Sequence, residues 1–245
     1  MQTIILILTY IRAFLHWFWL LIITPFFVIV IIFFEIVNSK KISYQMSRLW
    51  AFSLLWFCGI KVVGKNKQNI PEKPFLMLFN HRSYVDIPAL LQVTPERLHF
   101  GAKRTLFSIP VFGLGIKMLG HIPIHRENPR KVYSLYQSLG TRTQRGDCFA
   151  LSPEGGRHTG PGLAHFKKGP FIFALTYEIG VLPVLIHKAE ECMPKGSWLF
   201  NTGAWRREVI VEYLPVIETK GKSKKDIRKL QDQVYKSMEE HITDC

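Results

Sequence analysis

Closely spaced cysteines are missing from this 245-residue chain. Its four, Cys58, Cys148, Cys192 and Cys245, form no CxxC and no other short metal-binding spacing. Zinc-ribbon and zinc-finger classes are thereby excluded, and the thiols read as unpaired. Gly-x-Ser-x-Gly is absent too, which removes the serine elbow of the α/β hydrolases. Acidic side chains are scarce: 18 Asp and Glu stand against 32 Lys and Arg, a formal net charge of +14. Such an excess suits nucleic acid, an anionic lipid surface or phosphorylated substrates. No arginine-rich low-complexity arm favours nucleic acid, and no internal repeat is visible.

Charge is also lacking from Leu15 to Phe34, a run of mostly Leu, Ile, Val, Phe and Trp. A helix of this length reaches about 30 Å, the hydrocarbon thickness of a bilayer. The apolar region from Ile4 to Phe34 is too long for a signal-peptide core, and no small-residue cleavage site follows it. It therefore reads as a membrane segment. Pro25 interrupts it, so a kinked, re-entrant or hairpin-like insertion competes with a straight span. Lys40, Lys41, Arg48, Lys61, Lys65 and Lys67 follow closely and place the body of the protein on the cytoplasmic side. Ser43 to Ile60 is a second apolar-rich stretch. It is either a membrane-interface segment or a buried helix of the globular body.

Farther on, short apolar runs (Phe75–Phe79, His121–Ile124, Cys148–Leu151, Val181–Ile186 and Glu208–Leu214) alternate with helical patterns (Ile87–Gln92, Pro110–Met118, Pro129–Thr141 and Gly169–Ile179). That alternation predicts an α/β fold, a mixed, mostly parallel sheet flanked by helices on both faces. From Ser223, apolar residues Ile227, Leu230, Val234, Met238 and Ile242 recur at helical spacing behind a capping-box start. The expected organisation is a membrane-associated helical motif over 1–60, an α/β domain over 61–217 and a C-terminal amphipathic helix over 218–245.

The chemistry-bearing residues lie just after the apolar runs, where active sites of such sheets are built. His81 and Asp86 follow Phe75–Phe79. Five positions apart on one helix they would not converge. They meet if His81 lies in the turn and Asp86, a preferred N-cap, opens the next helix. A carboxylate on one ring nitrogen leaves the other for general-base work. With no serine elbow in the chain, the hydroxyl is expected from the substrate. Ser152-Pro153-Glu154-Gly155-Gly156-Arg157 follows the next run; its glycines permit a tight turn, and Arg157 offers a fork suited to phosphate. Arg126 after His121–Ile124 and Lys103 after Ala102 add two more cation-bearing loops.

These segments resemble the four motif blocks of the glycerolipid acyltransferases, specifically the 1-acylglycerol-3-phosphate acyltransferases. Asn80-His81 with Asp86 is similar to the N-H-x4-D block, and Gly120–Arg126 to the G-x-I-x-x-x-R block. Pro153–Arg157 is similar to P-E-G-T-R, and Val181–Val184 to V-x-P-V. The likeness spans roughly residues 60 to 190. Two positions depart from it: Gly156 replaces the usual threonine, and His158 stands where a serine is expected. The resemblance implies acyl transfer from acyl-CoA or acyl carrier protein to the free hydroxyl of lysophosphatidic acid, without metal or redox cofactor. It implies His81 as base, Asp86 as its orienter, and Lys103, Arg126 and Arg157 as phosphate ligands. Glu154 carries over as a site residue, with holding one of the cations in place as its expected role. Oxyanion donors are expected either near Gly155–Gly156 or at the helix opening by Asp86. Rival readings are the same chemistry on another lyso-lipid or on glycerol 3-phosphate, a thioesterase or lipase, and a non-enzymatic membrane-binding module.

Overall fold

The computed structural model describes residues 2–125, 127–202 and 204–242. It begins with a helical hairpin, α1 (Gln2–Ile36) and α2 (Lys40–Phe57), turning at Asn38 in the left-handed region (φ 57°). Pro25 does not break α1; the helix continues through it, and the hairpin is made by the turn beyond Ile36. The second apolar stretch is α2, a helix with one apolar side packed on the body and another exposed. Ala51, Leu54 and Leu55 are buried, whereas Leu49, Phe52 and Trp56 are exposed.

The α/β part contains β1 (Ile60–Lys65), β2 (Phe75–Phe79), α3 (Asp86–Val93), β3 (Leu98–Lys103), α4 (Phe112–Met118), β4 (Ile122–Ile124), α5 (Pro129–Ser138), α6 (Gly140–Gln144), β5 (Cys148–Leu151), α7 (Gly169–Thr176), β6 (Gly180–His187), α8 (Ala189–Cys192), β7 (Arg207–Tyr213) and α9 (Ile227–Glu239). The strands form one sheet in the order β1-β7-β6-β2-β5-β3-β4. Every neighbouring pair is parallel except β6 and β7. The mixed, mostly parallel sheet expected from the alternation is thus present.

Strand β2 is central and wholly buried, which explains its unbroken apolar sequence. Its side chains alternate between two cores. Phe75, Met77 and Phe79 face the layer holding α2 and α3, and Leu76 and Leu78 face the layer of α7 and α9. Strands β1 and β3 had no sequence expectation. Lys61, Gly64 and Lys65 break the apolar pattern of β1, an edge strand. His99 and Gly101 break that of β3. The C-terminal helix forms as expected, with Ser223 and Asp226 closing the capping box. Its apolar face packs through Leu230, Val234 and Met238. Cys58, Cys148 and Cys192 are free and buried; burial pushes the Cys192 thiol up to about 12. Cys245 lies outside the described residues.

Candidate active site

The β2 strand delivers His81 to the carboxyl end of the sheet. There its Nδ1 lies 2.7 Å from Asp86 Oδ2. The same Asp86 oxygen accepts the backbone N–H groups of Arg82 and Ser83, each at 2.8 Å. Asp86 is fully buried. With a carboxylate oxygen as its neighbour, Nδ1 is the ring nitrogen that donates, leaving Nε2 to accept a proton. Asp86 does not cap its helix in the expected way. It is the first residue of α3 and bonds backward into the turn, while Ser83 Oγ accepts the Val85 N–H at 3.2 Å.

Around this pair the loop is tied from several sides. The Asn80 amide is buried and pairs with both backbone groups of Ile186, at 3.0 and 2.7 Å. The Ser83 hydroxyl donates to Met193 O at 2.8 Å. The His158 N–H donates to His81 O at 2.8 Å. Glu154 does not hold a cation through its hydrogen bonds. Its Oε1 accepts the His81 N–H at 3.0 Å, and its Oε2 accepts the Ala164 N–H at 3.3 Å. Burial, partly offset by these two bonds, raises the Glu154 carboxyl above its ordinary range.

His81 stands on the wall of a mostly apolar cavity of about 1010 Å³. Lys103, Ser152, Gly155 and Lys167 share that wall, and Phe79, Phe100, Leu151 and Ile116 provide apolar lining. Gly155 has φ +78°, a conformation its turn requires and side chains resist. Gly156 continues the bend. Arg157 is one step back from the cavity. Its guanidinium carbon sits 3.5 Å over the ring centroid of Tyr84, which does line the cavity. Its NH1 is buried with no hydrogen-bond partner, a donor left for a ligand. Arg126 lies outside the described residues.

Sequence reasoning passed over three residues here. Ser152 Oγ is buried without a partner. The Gly155 N–H is spent on Ser152 O, and the Arg82 and Ser83 N–H groups on Asp86. Those three backbone donors are therefore engaged, whereas the Ser152 hydroxyl is not. Gln231 of α9, also buried, donates to Phe166 O at 2.7 Å and so braces the loop that carries Ala164 and Lys167. Arg82 bonds Glu190 at 3.3 Å and Gly162 O, pinning the same loop. No pattern in the sequence signals these long-range bonds; the unusual buried Gln on an apolar helix face was the one available hint. Among the described residues no group of His, Cys, Asp and Glu could hold a metal ion.

Residues 61–187 match the family model described as Acyltransferase. A chloroplastic 1-acyl-sn-glycerol-3-phosphate acyltransferase of Arabidopsis thaliana is 29% identical over 159 residues, covering 64% of this chain and 44% of the relative. The human 1-acyl-sn-glycerol-3-phosphate acyltransferase beta is 28% identical over 188 residues, 76% of this chain and 66% of the relative. The chain thus spans about half the length of the first of these relatives. In architecture it is similar to the 1-acyl-sn-glycerophosphate (LPA) acyltransferase PlsC from Thermotoga maritima. That crystal structure superposes with a TM-score of 0.80 at 23% identity, covering 95% of both chains. The matched segment, just over half of the chain, begins beside β1, ends on β6 and includes the His81–Asp86 pair and the Glu154–Arg157 turn, so this protein belongs to the acyltransferase family.

Proposed function

We propose that the protein transfers a fatty acyl group from a thioester, acyl-CoA or acyl carrier protein, to the free hydroxyl of lysophosphatidic acid, giving phosphatidic acid. The observation that carries this reading is the His81–Asp86 pair on the wall of a large apolar cavity. The names of the relatives, 1-acyl-sn-glycerol-3-phosphate acyltransferases, supply the acceptor class.

In this scheme His81 Nε2 takes the proton of the acceptor hydroxyl as its oxygen attacks the thioester carbonyl. Asp86 holds the ring and stabilises the imidazolium. The tetrahedral intermediate then collapses, the C–S bond breaks, and the thiolate leaves with the proton from His81. Ser152 Oγ is the donor we assign to the oxyanion. Arg157, held over Tyr84, and Lys103 on the cavity wall serve the phosphate. Glu154, Gly155 and Gly156 shape the turn beneath them. Arg126 is carried over from the motif resemblance alone.

The membrane would be met by α1, whose Ile7–Ile36 portion is long and apolar enough to cross it. Its contacts favour lying in one leaflet instead. Near one end, Arg12 donates to Ala204 O at 3.2 Å and to Cys58 O. At the other, Glu35 pairs with Arg97 at 2.6 Å. These anchors are 23 residues, about 35 Å, apart, and both reach the catalytic domain. A perpendicular span would drag that domain through the roughly 30 Å hydrocarbon layer. The basic residues after α1 favour the anionic cytoplasmic leaflet as the side on which the domain sits.

The deciding experiment incubates purified protein with lysophosphatidic acid and several acyl thioesters and follows thiol release. Release that depends on the acceptor and yields phosphatidic acid supports the reading. Equal release without acceptor would replace it with a thioesterase, and acylation of other lyso-lipids in preference would move the acceptor.

A further inference from the structure

From Arg97 to His125 the chain contains Arg97, Lys103, Arg104 and Lys117 and no acidic residue. In the middle of this stretch a 3-10 turn (Arg104–Ser108) leads into α4. It carries four large aliphatic side chains with much of their surface exposed: Leu106 at 37%, Ile109 at 45%, Val111 at 44% and Leu114 at 49%. Single exposed apolar residues are ordinary, but a contiguous set marks an interaction surface.

The backbone at the apex is strained. Val111 has φ +63° and ψ −62°, and the Phe112 N–H closes on Pro110 O at 2.7 Å. This is a γ-turn of the positive-φ kind, rare and disfavoured for a β-branched residue. Gly113 is what lets the turn fold back so tightly. A Cβ there would fall 2.3 Å from Phe107 O. The result is a compact tip whose aliphatic side chains keep much of their surface exposed. Strain kept in this way points toward function.

Two contacts fix the tip beside α1. A Cβ on Gly115 would lie 2.9 Å from Val28 Cγ2, so α4 and α1 touch closely. The Phe112 ring packs on Trp50 of α2. On the same stretch of α1, Phe26 and Ile29 are exposed. The tip therefore packs against the helical hairpin, next to a stretch of α1 that carries exposed apolar residues. Arg104 and Lys117 flank it, both exposed.

We propose that the tip, residues 104–114, is a second membrane-inserting element, carried by the catalytic domain itself. Its occupant is the outer part of one leaflet of a bilayer containing anionic lipid. The aliphatic residues enter the acyl region, and the flanking cations meet headgroup phosphates. A second copy of this chain is a poorer fit, because it would bring the same basic flank against its like. The proposal rests on the placement of α1 in a leaflet and adds to it. With α1 and the tip both inserted, the domain is held at two places and its orientation is fixed. Leu106, Ile109 and Val111 also line the cavity that holds His81, so insertion seats that side of the cavity at the bilayer surface.

The test uses the full chain with Cys245→Ser, the remaining cysteines being buried. Single cysteines are introduced by Ile109→Cys at the tip, Phe26→Cys on α1 and Gln233→Cys on α9, and each is labelled with an environment-sensitive fluorophore. Vesicles of equal parts phosphatidylcholine and phosphatidylglycerol are prepared with and without acyl-chain nitroxide lipids. Labels at 109 and 26 should both shift to the blue and lose emission to the nitroxide, while the label at 233 does neither. A label at 109 that stays unquenched while 26 is quenched overturns the tip and leaves α1 in the membrane. No quenching at 26 overturns both readings. In the unlabelled chain, Ile109→Asp with Leu114→Asp should weaken vesicle partitioning by about tenfold or more, as burial of one large aliphatic side chain implies. Unchanged partitioning of that double variant would also overturn the tip.

Discussion

Glu154 Oε1 accepts the backbone N–H of His81 at 3.0 Å, and its other oxygen accepts the Ala164 N–H. One buried carboxyl thus joins the loop carrying the candidate base to the loop that follows Arg157. Glu154→Ala leaves two N–H groups without acceptors, each worth about 1–3 kcal/mol. It also frees the His81 backbone, and a shift of about 1 Å can cost roughly a hundredfold in rate. A kcat loss of that order with little change in acceptor KM is expected. Glu154→Gln should be milder, since an amide oxygen remains and burial already disfavours the charged carboxylate. Equal damage from both variants, in steady-state assays, would show that the charge itself is needed.

His81→Ala should lower kcat by roughly 10²–10⁴-fold while the protein still floats with vesicles. Asp86→Asn should also lose activity, because it weakens the hold on the Nδ1 proton and on two backbone N–H groups. Near-normal turnover in His81→Ala would remove the general-base scheme.

Ser152→Ala removes a buried, unpartnered hydroxyl from the cavity wall. If that hydroxyl serves the oxyanion, kcat should fall by about 10²-fold with KM for both substrates nearly unchanged. The change should not weaken the fold, since no hydrogen bond of Ser152 Oγ is lost. An unaltered kcat would exclude the role.

Arg157 and Tyr84 form a stacked pair whose strength falls within about 0.5–2 kcal/mol. Tyr84→Phe keeps the ring face and should leave the acceptor KM unchanged. Tyr84→Ala and Arg157→Lys should raise it severalfold by loosening the guanidinium. Comparison with an acceptor lacking the phosphate gives the control: its KM should not respond. A parallel rise for both acceptors would mean that Arg157 does not bind phosphate.

Two buried histidines couple folding to pH. His99 is held down to about 4, chiefly by burial and by Arg142, against the pull of Asp147 at 3.5 Å. His121 is held down to about 3, again chiefly by burial and then by His99 and Arg97. Unfolded histidine titrates near 6.5, so between that value and about 4 the unfolded chain binds more protons than the folded one. The stability contributed by the neutral rings is complete above pH 6.5 and is lost as pH falls through the folded values. Urea midpoints of detergent-solubilised protein should therefore drop on acidification over this window. His99→Asn should make that drop shallower; an unchanged slope would show that these rings do not control it.

Much of the fold was legible because it is encoded locally. Phe75–Phe79 is apolar without interruption because it is buried on both faces, and the Ser223 capping box marks the last helix in four residues. The His81-x4-Asp86 spacing is also a local statement, since a turn between strand and helix brings the two side chains together. Strands β1 and β3 were silent because Lys61, Lys65, His99 and Gly101 break any apolar run. Each is tolerated only through neighbours distant in sequence, such as Leu119 O and Asp147 for His99.

The sequence by itself determined the apolar leading segment, the alternation of strand and helix, the excess of positive charge and the identity of a histidine–carboxylate pair. Only the tertiary structure decided that Glu154 holds a backbone rather than a cation, that Arg157 lies on Tyr84, that α1 is clamped near both ends and that the 104–114 tip sits beside it with its aliphatic side chains partly exposed. The physical reason is range. Periodicity and turn chemistry act between residues a few positions apart. The bonds of Glu154 to His81 and of Arg12 to Ala204 join residues 73 and 192 positions apart, and they exist only once the sheet has set its strand order.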